Sequence, residues 1–358
     1  MKGILMLEDG KGFVGEVADL KGERVGEVIM NTAVVGYQEM ITDPANAGKI
    51  LVLTYPLIGN YGCAPKFNES DNVWLAGLVI KERSRIFSNW QAKESFDDFI
   101  KRHKLITLSG IDTRTLAVHL RQKGSMVGII STNCFDTKEL IAKIGSFRKN
   151  KPVDLLSGIS TKTKKELGGR GKKKIAILDL GVTNSIIRQL EYSGLSLTVL
   201  PYNTSGEDIL KCKTAGLIIS DGPEEAPGLE EVAKSLKPLV GKIPILGIGT
   251  GNLVLASALG AKTNKLKTGH RGVNYPVQNP ALFKGEITVQ NHAYAIDAAS
   301  LLKIKQIKIT GYNLNDRTVE EIESKKLRIL GVQYLPVCPG FKEVSNVFNR
   351  FIKMLNRS

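Results

Sequence analysis

A strand, a glycine-framed turn and a helix follow one another around Gly249. The strand is predicted at Ile243–Ile248, the turn at Gly249–Asn252 and the helix at Leu253–Leu259. This succession is typical of a nucleophile elbow, whose central residue points into a site from a strained backbone. A helix N-terminus beneath the turn would lower the pKa of a thiol there and stabilise an oxyanion. Because the central residue is a glycine, the pattern predicts an elbow that carries no nucleophile.

Few other residues could act as a nucleophile or a base. The chain has four cysteines and four histidines, which are Cys63, Cys134, Cys212, Cys338, His103, His119, His270 and His292. The cysteines are far apart and form no Cys-x-x-Cys pair, so we assign no zinc cage, no disulfide framework and no metal ligand. A substitute pair of Cys338 with His292 is conceivable, but no elbow would hold that sulfur over an oxyanion hole. Thr250 as a displaced nucleophile would lack a base.

Apolar runs alternate with helical segments in the second half of the chain. Strands are predicted at Lys174–Leu178, Leu195–Leu200, Gly216–Ser220 and Ile243–Ile248, and helices at Asn184–Tyr192, Gly206–Leu210, Leu229–Leu239 and Leu253–Leu259. This alternation is typical of a parallel, doubly wound sheet. Chemistry in such sheets lies beyond the carboxyl ends of the strands, so the loops after Ser220 and Ile248 are the expected place for a site.

The first half of the chain has a different pattern, in which short strands with glycine-containing turns precede helices. Strands are predicted at Gly3–Leu7, Phe13–Glu16, Gly26–Asn31, Ile50–Leu53 and Leu75–Ile80, and helices at Ser95–Lys101 and Thr113–Gln122. Strands grouped before helices indicate a mixed β/α domain rather than alternating β-α units.

The positive charge of the chain is concentrated between these two halves. The 358 residues carry a formal net charge of +15, and residues 143–174 contain eleven basic and two acidic residues, a net +9 of that total. Phe147 is the only aromatic residue in this stretch, whereas a nucleic-acid surface more often interleaves stacking aromatics with its charges. We therefore interpret the segment as a solvated connector. The predicted organisation is a domain at 1–150, a basic linker at 151–172 and a domain at 173–358.

The sequence also argues against a membrane or secretory protein. No apolar run reaches the ~18 residues that a transmembrane helix needs. The first ten residues lack the apolar core and the small-residue cleavage site of a signal peptide. We therefore expect a cytoplasmic location.

Blocks of sequence along the whole chain resemble one known family. The N-terminal blocks are residues 31–44 (NTAVVGYQEMITDP), 53–62 (LTYPLIGNYG), 88–90 (SNW) and 109–114 (SGIDTR); the later ones are 179–188 (DLGVTNSIIR), 220–223 (SDGP), 247–255 (GIGTGNLVL), 268–276 (TGHRGVNYP), 290–292 (QNH) and 331–334 (GVQY). Together they resemble the small subunit of carbamoyl-phosphate synthase, within the class I, triad-type glutamine amidotransferases. The resemblance runs essentially from end to end, and the N-terminal blocks are absent from most other amidotransferases.

This resemblance implies both a fold and an activity. The implied fold is α/β, with an N-terminal mixed β/α small-subunit domain followed by a doubly wound class I glutamine amidotransferase-like domain. Members hydrolyse glutamine with a Cys-His-Glu triad and pass ammonia through a tunnel to a large subunit. The large subunit makes carbamoyl phosphate from bicarbonate, ammonia and ATP for arginine and pyrimidine synthesis. ATP and Mg are thus expected on that partner, in a heterodimer or higher oligomer, and no cofactor on this chain.

The family's catalytic residues are missing at the matching positions. Gly249 stands at the nucleophilic cysteine, Leu335 at the general-base histidine and Val337 at the orienting glutamate. None of these side chains titrates, so neither a thioester intermediate nor a proton shuttle is possible. The resemblance therefore implies a chain that has lost its own glutamine hydrolysis.

The family's glutamine-holding positions are degenerate as well, and they fall on Ala45, Gly222, Glu224, Thr250, Leu253, Asn291, Ala293 and Tyr294. Ala45 replaces a serine, Leu253 a glutamine, and Ala293-Tyr294 a Gly-Phe pair. Glu224 replaces a glycine, and its carboxylate is expected to crowd and repel that of glutamine. Thr250 stands where the backbone N–H of a leucine helps to build the family's oxyanion hole. We expect this N–H donor to remain, although no reaction would form an oxyanion beside it.

Two other functions stay open at this point. The chain could be a repurposed binding or regulatory pseudo-amidotransferase without a synthase partner. It could also bind nucleic acid through the basic connector, which would give an affinity with a steep dependence on salt.

Overall fold

The computed structural model describes residues 1–18, 20–150, 153–168, 171, 173–281, 284–338, 340 and 342–356. The chain divides into two compact units, Met1–Pro152 and Val153–Ser358. None of the helices in the described residues is long and apolar enough to cross a membrane.

The first unit contains short strands and helices that alternate irregularly. Its strands are β1 (Lys2–Leu7), β2 (Gly12–Val17), β3 (Glu23–Asn31), β4 (Ile50–Leu53), β5 (Leu57–Ile58), β6 (Gly77–Val79), β7 (Glu82–Arg83), β8 (Thr107–Ser109) and β9 (Met126–Ser131). Its helices are α1 (Tyr37–Thr42), α2 (Phe96–Arg102), α3 (Thr113–Lys123) and α4 (Thr137–Lys149). The last three begin where Ser95, Asp112 and Asp136 accept hydrogen bonds from backbone N–H groups of the first turn.

Strands of the first unit close into a barrel in the order β1-β2-β8-β6-β4-β3-β9. The run from β3 through β4 and β6 to β8 is parallel, and the remaining pairings are antiparallel. Leu5, Val28, Val52, Leu108 and Ile130 are among the buried side chains of its core. The mixed β/α class expected from the sequence is confirmed. Barrel closure was not predicted, because it depends on pairings between strands far apart in the chain.

The second unit is built around a large sheet. Its strands are β10 (Lys165–Leu167), β11 (Lys174–Asp179), β12 (Ser196–Pro201), β13 (Gly216–Ile219), β14 (Ile245–Ile248), β15 (Thr263–Asn279), β16 (Lys284–Ile296), β17 (Lys308–Asn313), β18 (Val319–Ser324) and β19 (Ile329–Val332). Its helices are α5 (Leu155–Ile159), α6 (Asn184–Tyr192), α7 (Gly206–Lys211), α8 (Leu229–Leu236), α9 (Thr250–Ala258), α10 (Ala298–Leu301) and α11 (Asn346–Leu355).

The sheet has a parallel centre in the order β12-β11-β13-β14-β19 and continues through β18, β16, β15 and β17 as antiparallel strands. Alternate residues of β11 belong to two different buried clusters. Ile175 and Ile177 pack in one cluster, and Ala176 and Leu178 pack in the other. Both faces of the sheet are therefore covered, which explains why its central strands are continuously apolar. The predicted parallel, doubly wound sheet is confirmed.

Helix α9 begins three residues earlier than the sequence predicted. The backbone N–H groups of Asn252 and Leu253 donate to the carbonyl oxygen of Gly249, so the helical turn begins at Thr250. Thr250 and Asn252 are polar but completely buried. The glycine-framed pattern predicts a turn at these positions, whereas here both side chains form hydrogen bonds in the interior.

The described part of the predicted linker belongs to the second unit, and its residues 162–166 are exposed. Strand β10 pairs with β12 at the edge of the sheet, and α5 precedes it. The Glu166 carboxylate accepts hydrogen bonds from Lys174 Nζ at 2.9 Å and Thr198 Oγ1 at 2.9 Å, and it pairs with Lys164 at 3.0 Å. Lys164 and Lys174 thus share one local carboxylate partner. Residues 151, 152, 169, 170 and 172 of the predicted linker lie outside the described residues.

Glu166→Gln should weaken the second unit only slightly, by less than about 1 kcal/mol at pH 7, because the ion pairs are half-exposed. Hydrogen bonds from Lys174, together with those from Lys164 and Thr198, lower the pKa of Glu166 to about 2. A carboxylate with a lowered pKa stabilises the fold above its unfolded pKa and loses that contribution as the pH falls. Urea unfolding should therefore show the difference from wild type shrinking as the pH is lowered from 5 towards 3. A difference that grew with acidity would contradict this assignment.

Candidate functional site

The three positions that match a catalytic triad lie at one edge of the sheet. Gly249 follows β14, while Leu335 and Val337 follow β19. These strands are parallel neighbours, with Ile248 opposite Val332. Their carboxyl ends therefore meet at the same edge, where doubly wound sheets hold their sites.

Gly249 has the backbone of an elbow but no room for a side chain. Its φ is +53° and its ψ is −117°, and its N–H donates to the carbonyl oxygen of Val332 at 2.9 Å. A Cβ at this position would lie 2.3 Å from Oδ1 of Asp221 and 2.5 Å from its Cγ. The place from which a nucleophile would project is thus filled by the Asp221 carboxylate.

Asp221 also occupies the backbone donor beside the elbow. Its Oδ1 accepts a hydrogen bond from the N–H of Thr250 at 2.8 Å, and both residues are buried. The Thr250 hydroxyl donates to the carbonyl oxygen of Gly222 at 2.6 Å, so it is not a free nucleophile. The N–H expected for the oxyanion hole is therefore present, but it already donates to the Asp221 carboxyl group.

Sequence reasoning missed Asp221, although a signal was present. The residue lies in the Ser220–Pro223 block, which matches a family block that begins with Asn-Gly-Pro, so Asp221 stands at the asparagine. An amide and a carboxylate have nearly the same shape, and either offers an oxygen that can accept the Thr250 N–H.

The two positions matched to the base and the orienting acid, Leu335 and Val337, carry apolar side chains on the loop after β19. Leu335 is half-buried and donates its N–H to the carbonyl oxygen of Val289 at 2.9 Å, and Val337 is exposed. Cys338 lies one residue further on, where burial, and after it Glu343, raises its pKa. A raised thiol pKa disfavours the thiolate, so Cys338 is a poor substitute nucleophile.

A second carboxylate lies among the positions matched to glutamine binding. Glu224 accepts hydrogen bonds from the N–H of Ala293 at 2.6 Å and from the N–H of Tyr294 at 3.1 Å. Ala293 is almost fully buried. The Tyr294 hydroxyl donates to Glu225 at 3.1 Å, and its pKa is raised to about 12, foremost by burial. Glu224 therefore binds the two backbone donors as an anionic ligand would, in addition to crowding the site.

The remaining matched positions are placed in different ways. Leu253 is buried on α9, and Asn291 is half-buried on β16, opposite Arg271. Ala45 belongs to the first unit, where it is buried and donates its N–H to Asp43 Oδ1 at 2.9 Å. The second unit therefore brings together Gly222, Glu224, Thr250, Ala293 and Tyr294 through direct contacts or neighbouring loops.

His270, His292 and Glu320 form a buried polar cluster, in which His292 directly precedes Ala293 on β16. Their ligand atoms are within 4.8 Å of one another, a geometry that could hold a metal ion. The Asn313 amide already donates to Glu320 Oε1 at 3.1 Å and lies 3.3 Å from His270 Nδ1. Burial acts to lower the pKa of His270, but Glu320 and Asp316 hold it above its usual value. Glu320 Oε1 thus already accepts a hydrogen bond from the Asn313 amide, and His270 Nδ1 lies 3.5 Å from the same oxygen.

Comparisons with known proteins match both units. The carbamoyl-phosphate synthase small chain, CPSase domain, matches residues 5–130, and the class-I glutamine amidotransferase family matches residues 176–354. The chain is 39% identical over 356 residues to the carbamoyl phosphate synthase small chain of Listeria monocytogenes, covering 99% of this chain and 97% of that one. It is 40% identical to the small chain of Caldanaerobacter subterraneus over the same shares.

A solved structure of a GMP synthase protein from Thermoplasma acidophilum is also similar. It aligns with a TM-score of 0.43 and 20% identity, covering 53% of this chain and 96% of that one.

Proposed function

Because the chain belongs to the family of carbamoyl-phosphate synthase small chains, we propose that it is a small subunit that does not hydrolyse glutamine. The family match covers both units, so the N-terminal part that distinguishes these small chains is retained. The observation that carries the proposal is the Asp221 carboxylate, which lies where the side chain of residue 249 would project.

Three requirements of triad chemistry are missing together. Covalent hydrolysis of an amide needs a nucleophile, a base that takes its proton and donors for the developing oxyanion. Gly249 offers no nucleophile, and Leu335 offers no base. The Thr250 N–H already donates to the Asp221 carboxyl group. Restoring one of these groups would leave the other two absent, so hydrolysis cannot be regained by a single substitution.

Glutamine binding is opposed by the chain's own carboxylates. The N–H groups of Ala293 and Tyr294 both donate to Glu224. A ligand carboxylate would have to displace Glu224 and then lie close to the displaced negative charge. We therefore propose that the pocket is closed to glutamine as well as inactive towards it.

A synthase containing such a small chain would take ammonia from solution. In this proposal the large subunit binds ATP and Mg and makes carbamoyl phosphate for arginine or pyrimidine synthesis in the cytoplasm. This chain would bind the large subunit, mainly through its first unit, and stabilise or tune it.

The test compares nitrogen sources for the complex reconstituted from this chain and the purified large subunit. Ammonium should support carbamoyl phosphate formation, and glutamine should give no more than the background without added nitrogen. Adding a separate glutaminase to the glutamine reaction should restore product, which shows that the large subunit is competent. Glutamine hydrolysis by the complex itself would refute the proposal.

The second candidate is a regulatory or binding protein without a synthase partner. The self-occupied pocket is equally compatible with it, because a chain that binds no glutamine delivers no ammonia to a synthase. Failure of the chain to bind the purified large subunit would favour this alternative.

The third candidate is nucleic-acid binding through the basic segment, which predicts binding to a DNA duplex that weakens steeply with salt. The ion pairs of Glu166 with Lys164 and Lys174 weigh against it.

A further inference from the structure

The buried cluster of His270, His292 and Glu320 has the spacing of a metal site. His270 on β15 lies directly opposite His292 on β16, and Glu320 is on β18. His270 Nδ1 lies 3.5 Å from Glu320 Oε1, and His292 Nε2 lies 3.8 Å from the same oxygen. Two ligand atoms on one tetrahedral zinc ion, with bonds of ~2.0–2.2 Å, lie ~3.3–3.6 Å apart. The three side chains could therefore bind one ion after small movements.

Hydrogen bonds on the outer side of each ring determine which nitrogen faces the cluster. His270 Nε2 lies 2.8 Å from Asp316 Oδ2, and His292 Nδ1 lies 2.9 Å from the carbonyl oxygen of Tyr294. Both oxygens accept, so each of these outer nitrogens carries the ring proton. In the neutral rings, His270 Nδ1 and His292 Nε2 therefore present lone pairs to the cluster. Metal-binding histidines in proteins donate their outer N–H to the same kinds of partner.

A further acceptor faces the same cluster. Gln290 Oε1 lies 3.1 Å from His292 Nε2. The Thr288 hydroxyl donates to the carbonyl oxygen of Tyr275, so it accepts from Gln290 Nε2 at 3.2 Å. This contact orients the Gln290 amide with its oxygen towards the ring. Two acceptors at this distance are unfavourable neighbours unless a cation lies beside them.

The protons that reach the cluster are too few for its acceptors. Asn313 Nδ2 carries two protons and lies within 3.5 Å of three acceptor atoms, which are Glu320 Oε1 at 3.1 Å, His270 Nδ1 at 3.3 Å and Gln290 Oε1 at 3.5 Å. Glu320 Oε2 is buried and has no hydrogen-bond partner among the described residues. Buried carboxylates in proteins are normally paired with a cation or coordinate a metal. The cluster therefore favours a cation.

We propose that His270 Nδ1, His292 Nε2 and the Glu320 carboxylate bind one divalent transition-metal ion, for which zinc is the best fit. Two imidazoles and a carboxylate are a zinc ligand set, whereas magnesium and calcium prefer oxygen ligands alone. Gln290 Oε1 or a water molecule would complete four-fold coordination. The ion would link β15, β16 and β18 and stabilise this part of the second unit. The inference does not depend on the proposed function, and it replaces the sequence-based expectation of no metal ligand.

The test measures zinc binding by the full-length chain, expressed without a metal-binding tag in zinc-supplemented medium. Elemental analysis after dialysis should find one zinc ion per chain, and added zinc should raise the melting temperature of the metal-depleted chain. X-ray absorption at the zinc edge should show imidazole and oxygen ligands. Zinc bound through sulfur, or no stoichiometric zinc, would overturn the proposal.

Glu320→Gln tests the proposed carboxylate ligand. It keeps the shape of the side chain, removes its charge and should raise the dissociation constant for zinc at least about 100-fold. The matched control is Glu321→Gln, the same change at the next residue, which is 5% exposed. The Glu321 carboxylate accepts from the hydroxyls of Thr310 and Tyr334. Because successive side chains of a strand point to opposite faces, this variant should change the dissociation constant by less than about 3-fold.

Asp316→Ala tests the outer partner of His270 at a side chain that is 39% exposed. As a positioning residue, Asp316 should raise the dissociation constant about 10-fold when it is removed. Zinc affinity that is unchanged in Glu320→Gln, or weakened equally in Glu321→Gln, would overturn the proposal. If Glu320→Gln fails to fold by circular dichroism, the affinity of Asp316→Ala and the absorption spectrum of the wild-type chain decide the question.

Discussion

Replacing Gly249 with cysteine should destabilise the second unit by about 2–5 kcal/mol and should restore no glutamine hydrolysis. A left-handed or otherwise strained backbone costs a residue other than glycine about 1–3 kcal/mol, and overpacking a buried site adds a similar amount. Both costs apply, because φ is +53° and the new Cβ would lie 2.3 Å from Asp221 Oδ1. Urea or thermal unfolding gives the stability, and ammonia release from glutamine gives the activity.

Asp221 supplies the matched control for that experiment. If its carboxylate causes the clash, Gly249→Cys combined with Asp221→Gly should be less destabilised than the sum of the two single variants. Asp221→Gly alone should also weaken the unit, since the buried Thr250 N–H loses its acceptor. A Gly249→Cys variant as stable as wild type and able to release ammonia from glutamine would show that the elbow has space for a nucleophile after all.

Replacing Glu224 with alanine should destabilise the second unit by about 1.5–3 kcal/mol, the range for hydrogen bonds to charged groups. The N–H groups of Ala293 and Tyr294 would both lose their acceptor. The same change should create an anion site, because two converging donors would then be open to a small carboxylate. Acetate or glutamine should therefore raise the melting temperature of Glu224→Ala in a concentration-dependent way and leave that of wild type unchanged.

Glu225 is the natural comparison for Glu224. It is exposed, pairs with Lys265 and accepts from the Tyr294 hydroxyl. Glu225→Ala should cost less than about 1 kcal/mol, because ion pairs at an exposed surface contribute little. Acetate should also leave the melting temperature of Glu225→Ala unchanged. If both variants behaved alike, the effect would reflect net charge and the internal-ligand role of Glu224 would be wrong.

Much of the second unit could be predicted from the sequence alone. The apolar runs of β11, β12, β13 and β14 are continuous because both sheet faces are covered, and amphipathic helices alternate with them. The prediction was less complete for the first unit, where most strands were found but their closure into a barrel was not. Barrel closure depends on β1 pairing with β9 and β2 with β8, contacts between residues about a hundred positions apart.

The basic segment contains a contact that its composition does not indicate. A count of basic and acidic residues predicts a solvated connector and says nothing about the partners of Glu166, one of the two acids in residues 143–174. In the structure Glu166 is on a strand paired with the sheet, so it accepts from Thr198 and two lysines. Strand pairing placed this carboxylate, and no local pattern in the sequence reports such a pairing.

The sequence by itself determined that Gly249, Leu335 and Val337 carry no titratable side chain in any fold. Residue identity is enough to exclude these three side chains as nucleophile, base or acid. Only the tertiary structure decided what fills the space left behind. Asp221 and Glu224 bond to the N–H groups of Thr250, Ala293 and Tyr294, which lie on other segments of the chain. A buried N–H must find an acceptor, and which acceptor reaches it depends on how strands and loops meet in space.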